Sequence, residues 1–231
     1  MKKILLSLLA VMCLSTTTFG EYLDMTLTST SYLPDIDGHI YQNEIEYVKD
    51  LGIVKGYSDN TFKPDNLINR AEFTKIIVEA LYDENDYMEY DNPNADESCF
   101  FDVDASQWYA KYVCFAKAND IVSGHPSGDF MPNSQINYVE ALKIVLRAYE
   151  AKGLIGPLGS EEDSKYWYGP YSDFVYDDYV EKIDMANNAD GIQASPYLAL
   201  HAVVSLDEEI TRAEACVIIN WIELFIKYEN I

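Results

Sequence analysis

The 231-residue sequence predicts a mainly α-helical protein built of three tandem helix–loop–helix repeats. Three observations carry that expectation. First, Ile68-Asn69-Arg70-Ala71-Glu72-Phe73 recurs as Ile210-Thr211-Arg212-Ala213-Glu214-Ala215 and, altered, as Ile136-Asn137-Tyr138-Val139-Glu140-Ala141. Internal repetition of this kind decides architecture before local detail does. Second, each copy offers an N-cap, Asn69, Asn137 or Thr211, with a glutamate three residues on, the signature of a capping box. Third, apolar residues follow at helical spacing: Phe73, Ile76, Ile77, Ala80 and Leu81; then Ala141, Ile144, Val145, Ala148 and Tyr149; then Ala215, Ile218, Ile219 and Ile222.

In chain order, residues 1–20 have the form of a secretory signal: Lys2 and Lys3, an apolar run from Ile4 to Leu14, and small residues around Thr18-Phe19-Gly20. The apolar run is too short to span a bilayer, and no later segment is long enough. Repeat one occupies 33–82. Its first helix follows Asp35-Ile36-Asp37, aligns Tyr41, Ile45 and Val48, and stops at Gly52. A Gly/Asn/Asp/Pro loop anchored by Ile53 and Phe62 leads to the Arg70 helix. Residues 83–98 are acidic, lack apolar period and form a linker. They also lack the Asp-x-Asp-x-Asp-Gly spacing of a calcium loop.

Repeat two occupies 99–150. Ile53, Gly56, Phe62, Pro64 and Ile68 recur in it, 68 positions on, as Ile121, Gly124, Phe130, Pro132 and Ile136. A second linker covers 151–165. Repeat three, 166–228, has diverged. Its Trp167-Tyr168 matches Trp108-Tyr109 at an offset of 59, whereas its Arg212 helix matches repeat two at 74. The difference between those offsets places an insertion of 15 residues within 173–204.

Composition bounds the function. The formal net charge is −23, from 16 Lys+Arg and 39 Asp+Glu, which opposes binding to nucleic acid or anionic lipid. The chain is 48% hydrophobic and so has the means to build a core. Nineteen Tyr and three Trp supply flat half-polar faces for core packing or for ligands. Past the signal, Cys99, Cys114 and Cys216 remain. Cys114 falls in register with Glu46 of repeat one, a solvent-facing position, and has no core duty there. Cys216 adjoins the apolar stripe of its helix. The pairing expected is Cys99–Cys114, with Cys216 free.

The arginines need an explanation. A cation in the first turn opposes the helix macrodipole. Arg70 and Arg212 either bridge to a carboxylate or hold an anion between the guanidinium and the free N–H groups of the helix start.

Together, Gly52-Ile53-Val54, Gly56-Tyr57, Phe62, Pro64 and Arg70-Ala71-Glu72 in repeat one resemble the S-layer homology family. So do Phe101-Asp102-Val103, Trp108-Tyr109, Gly124, Phe130 and Pro132 in repeat two, and Trp167-Tyr168 and Thr211-Arg212-Ala213-Glu214 in repeat three. The resemblance implies three modules in a pseudo-threefold helical unit, with first helices meeting centrally. It implies grooves that bind secondary cell-wall polysaccharide, in some members through a pyruvylated sugar. It points to Asp35, Gly56 and Arg70 in the first module, Asp102, Trp108 and Gly124 in the second, and Trp167 and Arg212 in the third. Each Asp could instead cap its first helix, and each Trp could simply pack. Tyr138 in place of an arginine removes the cation from repeat two's helix start.

The function implied is non-covalent attachment to an envelope glycan, by an exported protein at the cell surface or in the cell envelope. A structural envelope protein that assembles with like copies or other envelope proteins is the alternative. No nucleophile motif and no Cys/His cluster of metal-binding spacing is present, so neither an enzyme nor a metal or cofactor is expected.

Overall fold

The computed structural model describes residues 32–91, 98–162, 164–174 and 206–229. The expected signal, 1–20, and most of the expected insertion lie outside them. Among the described residues the fold is helical: α1 (Gln42–Asp50), α2 (Arg70–Leu81), α3 (Glu84–Met88), α4 (Ala110–Ala118), α5 (Tyr138–Ala151), α6 (Gly169–Asp173) and α7 (Arg212–Glu229). A single 3-10 turn, Pro34–Ile36, precedes α1.

The three long helices start as their sequences dictate. Asn69 accepts the Glu72 N–H at 2.8 Å while Glu72 reaches back to the Asn69 N–H, and Asn137 with Glu140 repeats the arrangement. Thr211 Oγ1 and Glu214 do the same for α7. Helix α1 ends before Gly52, whose φ of +75° suits a C-terminal stop.

The residues before these helices close a ring. The Ile68 N–H donates to the Ile210 carbonyl (3.1 Å), Ile210 to Ile136 (3.0 Å), and Ile136 to Ile68 (3.1 Å). All three isoleucine side chains are buried. The next two N–H groups of each helix dock on a neighbouring repeat. Arg70 and Ala71 donate to the Ser134 and Pro132 carbonyls, Tyr138 and Val139 to Glu208 and Leu206, and Arg212 and Ala213 to Asn66 and Pro64. Repeat one thus docks on two, two on three, and three on one. Helix packing follows the same ring, α2 on α4, α5 on α6 and α7 on α1, while α2 meets α5 and α5 meets α7. The centre is therefore this backbone triangle with the long helices, not a meeting of first helices. An α-helix leaves its first N–H groups without internal partners, and docking them on the neighbour's loop satisfies them.

Parts of two stretches expected as linkers carry structure among the described residues. The acidic 83–98 stretch contains α3, capped by Asp83 and Asp86, and α3 buries Tyr87 against Tyr112 and Phe115. One tyrosine does the packing, which is why no apolar period announces it. After α5, Glu150 accepts the Leu158 N–H at 2.8 Å and folds the chain back over the helix. The Cys99–Cys114 disulfide forms as expected, with a Cα–Cα distance of 5.4 Å, and Cys216 is free and buried.

Candidate functional site

A groove of about 200 Å³ opens between the repeat-one loop, α2 and the start of α7. Lys55, Gly56, Tyr57, Glu72, Lys75 and Arg212 are among the residues lining it. Gly56 lets the loop double back. A Cβ there would lie 2.6 Å from Leu33 Cδ2 and 2.9 Å from the Thr61 carbonyl oxygen. The loop closes through the Tyr57 N–H to that same carbonyl at 2.7 Å.

Asp35 holds the far end of the loop. Its carboxylate accepts the Phe62 N–H at 2.9 Å and the Lys63 N–H at 2.7 Å, where Lys63 takes a φ of +59°. Asp102 does the same for Phe130 and Met131, both at 2.7 Å, with Met131 at φ +60°. Neither aspartate caps a first helix. Each clamps a left-handed residue that an L side chain rarely adopts unaided.

Arg212 Nε donates to the Phe62 carbonyl at 2.9 Å, and its guanidinium lies 4.7 Å from the Tyr57 ring centre and 4.9 Å from that of Phe62. Arg70 takes the same pose on repeat two, with Nε 2.9 Å from the Phe130 carbonyl. The two then differ. Arg70 pairs with Glu140 at 3.1 Å, so it bridges to a carboxylate. Arg212 has no carboxylate partner among the described residues, and neither has the exposed Lys55. One further expectation is corrected: no free N–H groups await an anion at these helix starts. Neighbouring carbonyls and the cap side chains occupy them.

By the offset of 68, the repeat-two positions equivalent to those lining groove one are Ser123, Gly124, His125, Glu140, Lys143 and Arg147, and Arg70 stands in the place of Arg212. Gly124, at φ +73°, approaches Phe100 as Gly56 approaches Leu33. Lys143 Nζ lies 3.2 Å from Ser123 Oγ, 2.8 Å from Glu161 Oε1 and 5.4 Å from the Trp167 ring centre. Partial burial pushes the Glu161 carboxyl up, but hydrogen bonds from Lys143 and Tyr171 and the nearby Arg147 charge more than offset it, leaving it below the usual range. Beside groove one, Lys75 of repeat one and the Tyr112 hydroxyl of repeat two both bond Glu79, at 2.7 and 2.8 Å. Burial first, and Glu79 second, push the Tyr112 phenol up.

The structure therefore brings Gly56 and Arg212 into groove one, and Arg70, Gly124 and Trp167 to the repeat-two surface. Asp35 and Asp102 stand behind their loops. Trp108 and Trp167 are 53% and 44% exposed, so neither is a packed core residue, but Trp108 is not among the residues lining groove one. Lys55, Tyr57, Lys75, Lys143, Arg147, Tyr171 and Glu161 were missed. Lys75 and Lys143 are related by the same offset of 68 that revealed the repeats, and that signal was available. Among the described residues no group of His, Cys, Asp and Glu is placed to hold a metal, and no helix is long and apolar enough to cross a membrane.

The sequence of these repeats is similar to that of known proteins. Residues 33–74 and 100–142 match the S-layer homology domain. The chain is 29% identical over 151 residues to the middle cell wall protein of Brevibacillus brevis, covering 64% of this chain and 14% of that protein. It is 31% identical over 120 residues to the surface layer protein of Brevibacillus choshinensis, 52% of this chain and 10% of that one. It is 32% identical over 104 residues to the cellulosome-anchoring protein of Acetivibrio thermocellus, 44% of this chain and 22% of that one. The chain thus spans a small part of these relatives' lengths.

Proposed function

We propose that this chain is an exported, non-catalytic protein of the cell surface that attaches non-covalently to an anionic envelope glycan. Groove one is the principal site, and repeat three is a third, diverged S-layer homology module that supplies its Arg212. The ligand class is a secondary cell-wall polysaccharide carrying a carboxylate, such as a pyruvyl ketal. One observation carries this reading: in a chain of net charge −23, Arg212 is held rigidly by the Phe62 carbonyl and two rings yet has no carboxylate partner among the described residues. A carboxylate fits its planar fork, with Lys55 as a second cation and the Tyr57 face against the sugar ring. The surface-layer and anchoring names of the relatives agree with this role. Gly56, Gly124, Asp35 and Asp102 serve by shaping the loops. Trp108 and Trp167 offer stacking faces, and Arg70 serves mainly as a bridge.

The test is sedimentation with isolated cell-wall sacculi before and after chemical removal of the glycan polymer. Binding should vanish with the polymer. Binding that survives its removal would defeat the reading. Assembly with like copies or other envelope proteins is the second reading, supported by Phe101 and Trp108, which are 86% and 53% exposed. Concentration-dependent sedimentation of the chain alone would favour it.

A further inference from the structure

A second pocket, of about 400 Å³ and sharing no lining residue with groove one, opens where three helices end. Tyr82, Asn119 and Lys152 line it, and they are the C-caps of α2, α4 and α5. A helix C-terminus carries roughly half a negative charge and favours a cation within its last turn. Neither α2 nor α5 has a basic residue there, and Lys117 of α4 turns instead to the Phe100 ring, 4.3 Å from its centre. Asp86 of α3 and Glu89, its C-cap, add two carboxylates to the wall. Asp86 accepts the Asp83 N–H at 3.0 Å, and neither carboxylate meets a cation among the described residues. Burial first, and the Asp86 charge second, push the Tyr82 phenol up, so the negative field reaches that ring. The remaining walls are aromatic. Tyr82 and Tyr90 stand edge-on to Phe115, with ring centres 4.7 and 5.7 Å from its own. One ammonium already uses this surface: Lys152 Nζ lies 4.3 Å from the Tyr82 ring centre. Lys152 is exposed at the end of α5, so it can swing away. Of the lining residues only Phe115 and Asn119 lie within the stretches that match the S-layer homology domain, so most of this pocket is built outside them.

We infer that this pocket binds an ammonium-bearing ligand, an amino sugar whose amine is unacetylated. Negative helix ends, two carboxylates and aromatic rings all favour an organic cation over an anion or a neutral group. The volume suits a ring-sized ligand better than a single alkyl tail. The tyrosine rings offer the sugar a stacking face, and the Asn85 and Asn119 amides offer partners for its hydroxyls. Asn119 Nδ2 donates to the Phe115 carbonyl at 2.9 Å, which sets the direction of that amide in advance. Lys152 is the resident competitor for the Tyr82 ring. The choice of a sugar rests on the envelope-glycan function proposed above; the ammonium site does not.

The experiment is an NMR titration of the full chain with methyl glucosaminide at about pH 6, where the amine is charged and the carboxylates are ionised. Its N-acetyl form is the uncharged control, and Nα-acetyl-lysine amide is the amine without a sugar. The glucosaminide should shift the Asn85 and Asn119 side-chain amides, and the N-acetyl form should bind at least about 5-fold more weakly. Lys152→Gln should tighten the glucosaminide about 2- to 5-fold by removing the resident ammonium. Glu89→Gln should weaken it by about the same factor. No shift with the glucosaminide, or equal binding of the N-acetyl form, overturns the inference on the unmodified chain, with no variant needed. Tighter binding of the lysine amide than of the glucosaminide overturns it too, because the ligand would then be a peptide amine. Arg212→Ala should leave these shifts as they are. If sacculus binding survives removal of the polymer while the amide shifts persist, the groove-one reading falls and this one stands. If sacculus binding vanishes with the polymer and the amides do not shift, this inference alone falls.

Discussion

Replacing Arg212 by Ala separates two roles that one side chain performs. The substitution removes the 2.9 Å hydrogen bond to the Phe62 carbonyl and the contacts with the Tyr57 and Phe62 rings. A hydrogen bond involving a charged group contributes about 1.5–3 kcal/mol. For a chain of this size that lowers Tm by about 3–12 °C. Arg70→Ala loses the matching bond to Phe130 and also strands Glu140, so its Tm should fall at least as far. Affinity for sacculi should behave differently. Arg212→Ala should weaken it about 10- to 150-fold, one charge-assisted contact, while Arg70→Ala, if folded, should change it less than about 3-fold. Lys55→Met provides the clean control, because Lys55 is exposed and has no partner among the described residues. It should lower affinity with no change in Tm. The assay pairs thermal melts with a sacculus-binding isotherm below the melting range. Undiminished binding by folded Arg212→Ala, or equal loss from folded Arg70→Ala, would refute the assignment of the free cation to groove one.

Other outcomes follow from the same geometry. Gly124→Ala should lower stability by more than about 1 kcal/mol in urea melts, because its φ is +73° and a Cβ would lie 2.4 Å from Phe100 and 2.9 Å from the Asp129 carbonyl. Reducing the Cys99–Cys114 disulfide should cost about 3 kcal/mol for a loop of 15 residues, read as a shift in the urea midpoint. Cys216, buried and with its thiol pushed up to about 12 by that burial, should resist thiol reagents at neutral pH until the chain unfolds. The Glu161 carboxyl is depressed below its ordinary 4.5, so its contribution is fully present above that pH and is lost as pH falls through the folded value. The Tm of the unmodified chain should therefore fall more steeply in acid than that of Glu161→Gln, read by thermal melts across that range.

Much of this protein was legible in the chain because the relevant forces are local. A capping box and an apolar stripe act within a few residues, so Asn69, Asn137 and Thr211 declared the three long helices, and all three begin there. The disulfide was legible because repeat register placed Cys114 at the position of Glu46, which is exposed in repeat one. Asp35 and Asp102 were visible as a pair, but not as loop clamps, since their partners lie 27 and 28 residues away. Helix α3 was hidden because its packing rests on Tyr87 alone among acidic neighbours.

Sequence alone determined where each repeat begins, what caps it and which face it buries. Only the tertiary structure decided which repeat each helix start leans on, through carbonyls as distant as Pro64 from Ala213. It also decided that Arg70 meets a carboxylate while Arg212 meets none among the described residues, although the two motifs read alike. The reason is physical. A cap or a stripe is satisfied within one helix, whereas the partner of a long charged side chain is set by which surfaces the closed ring brings together.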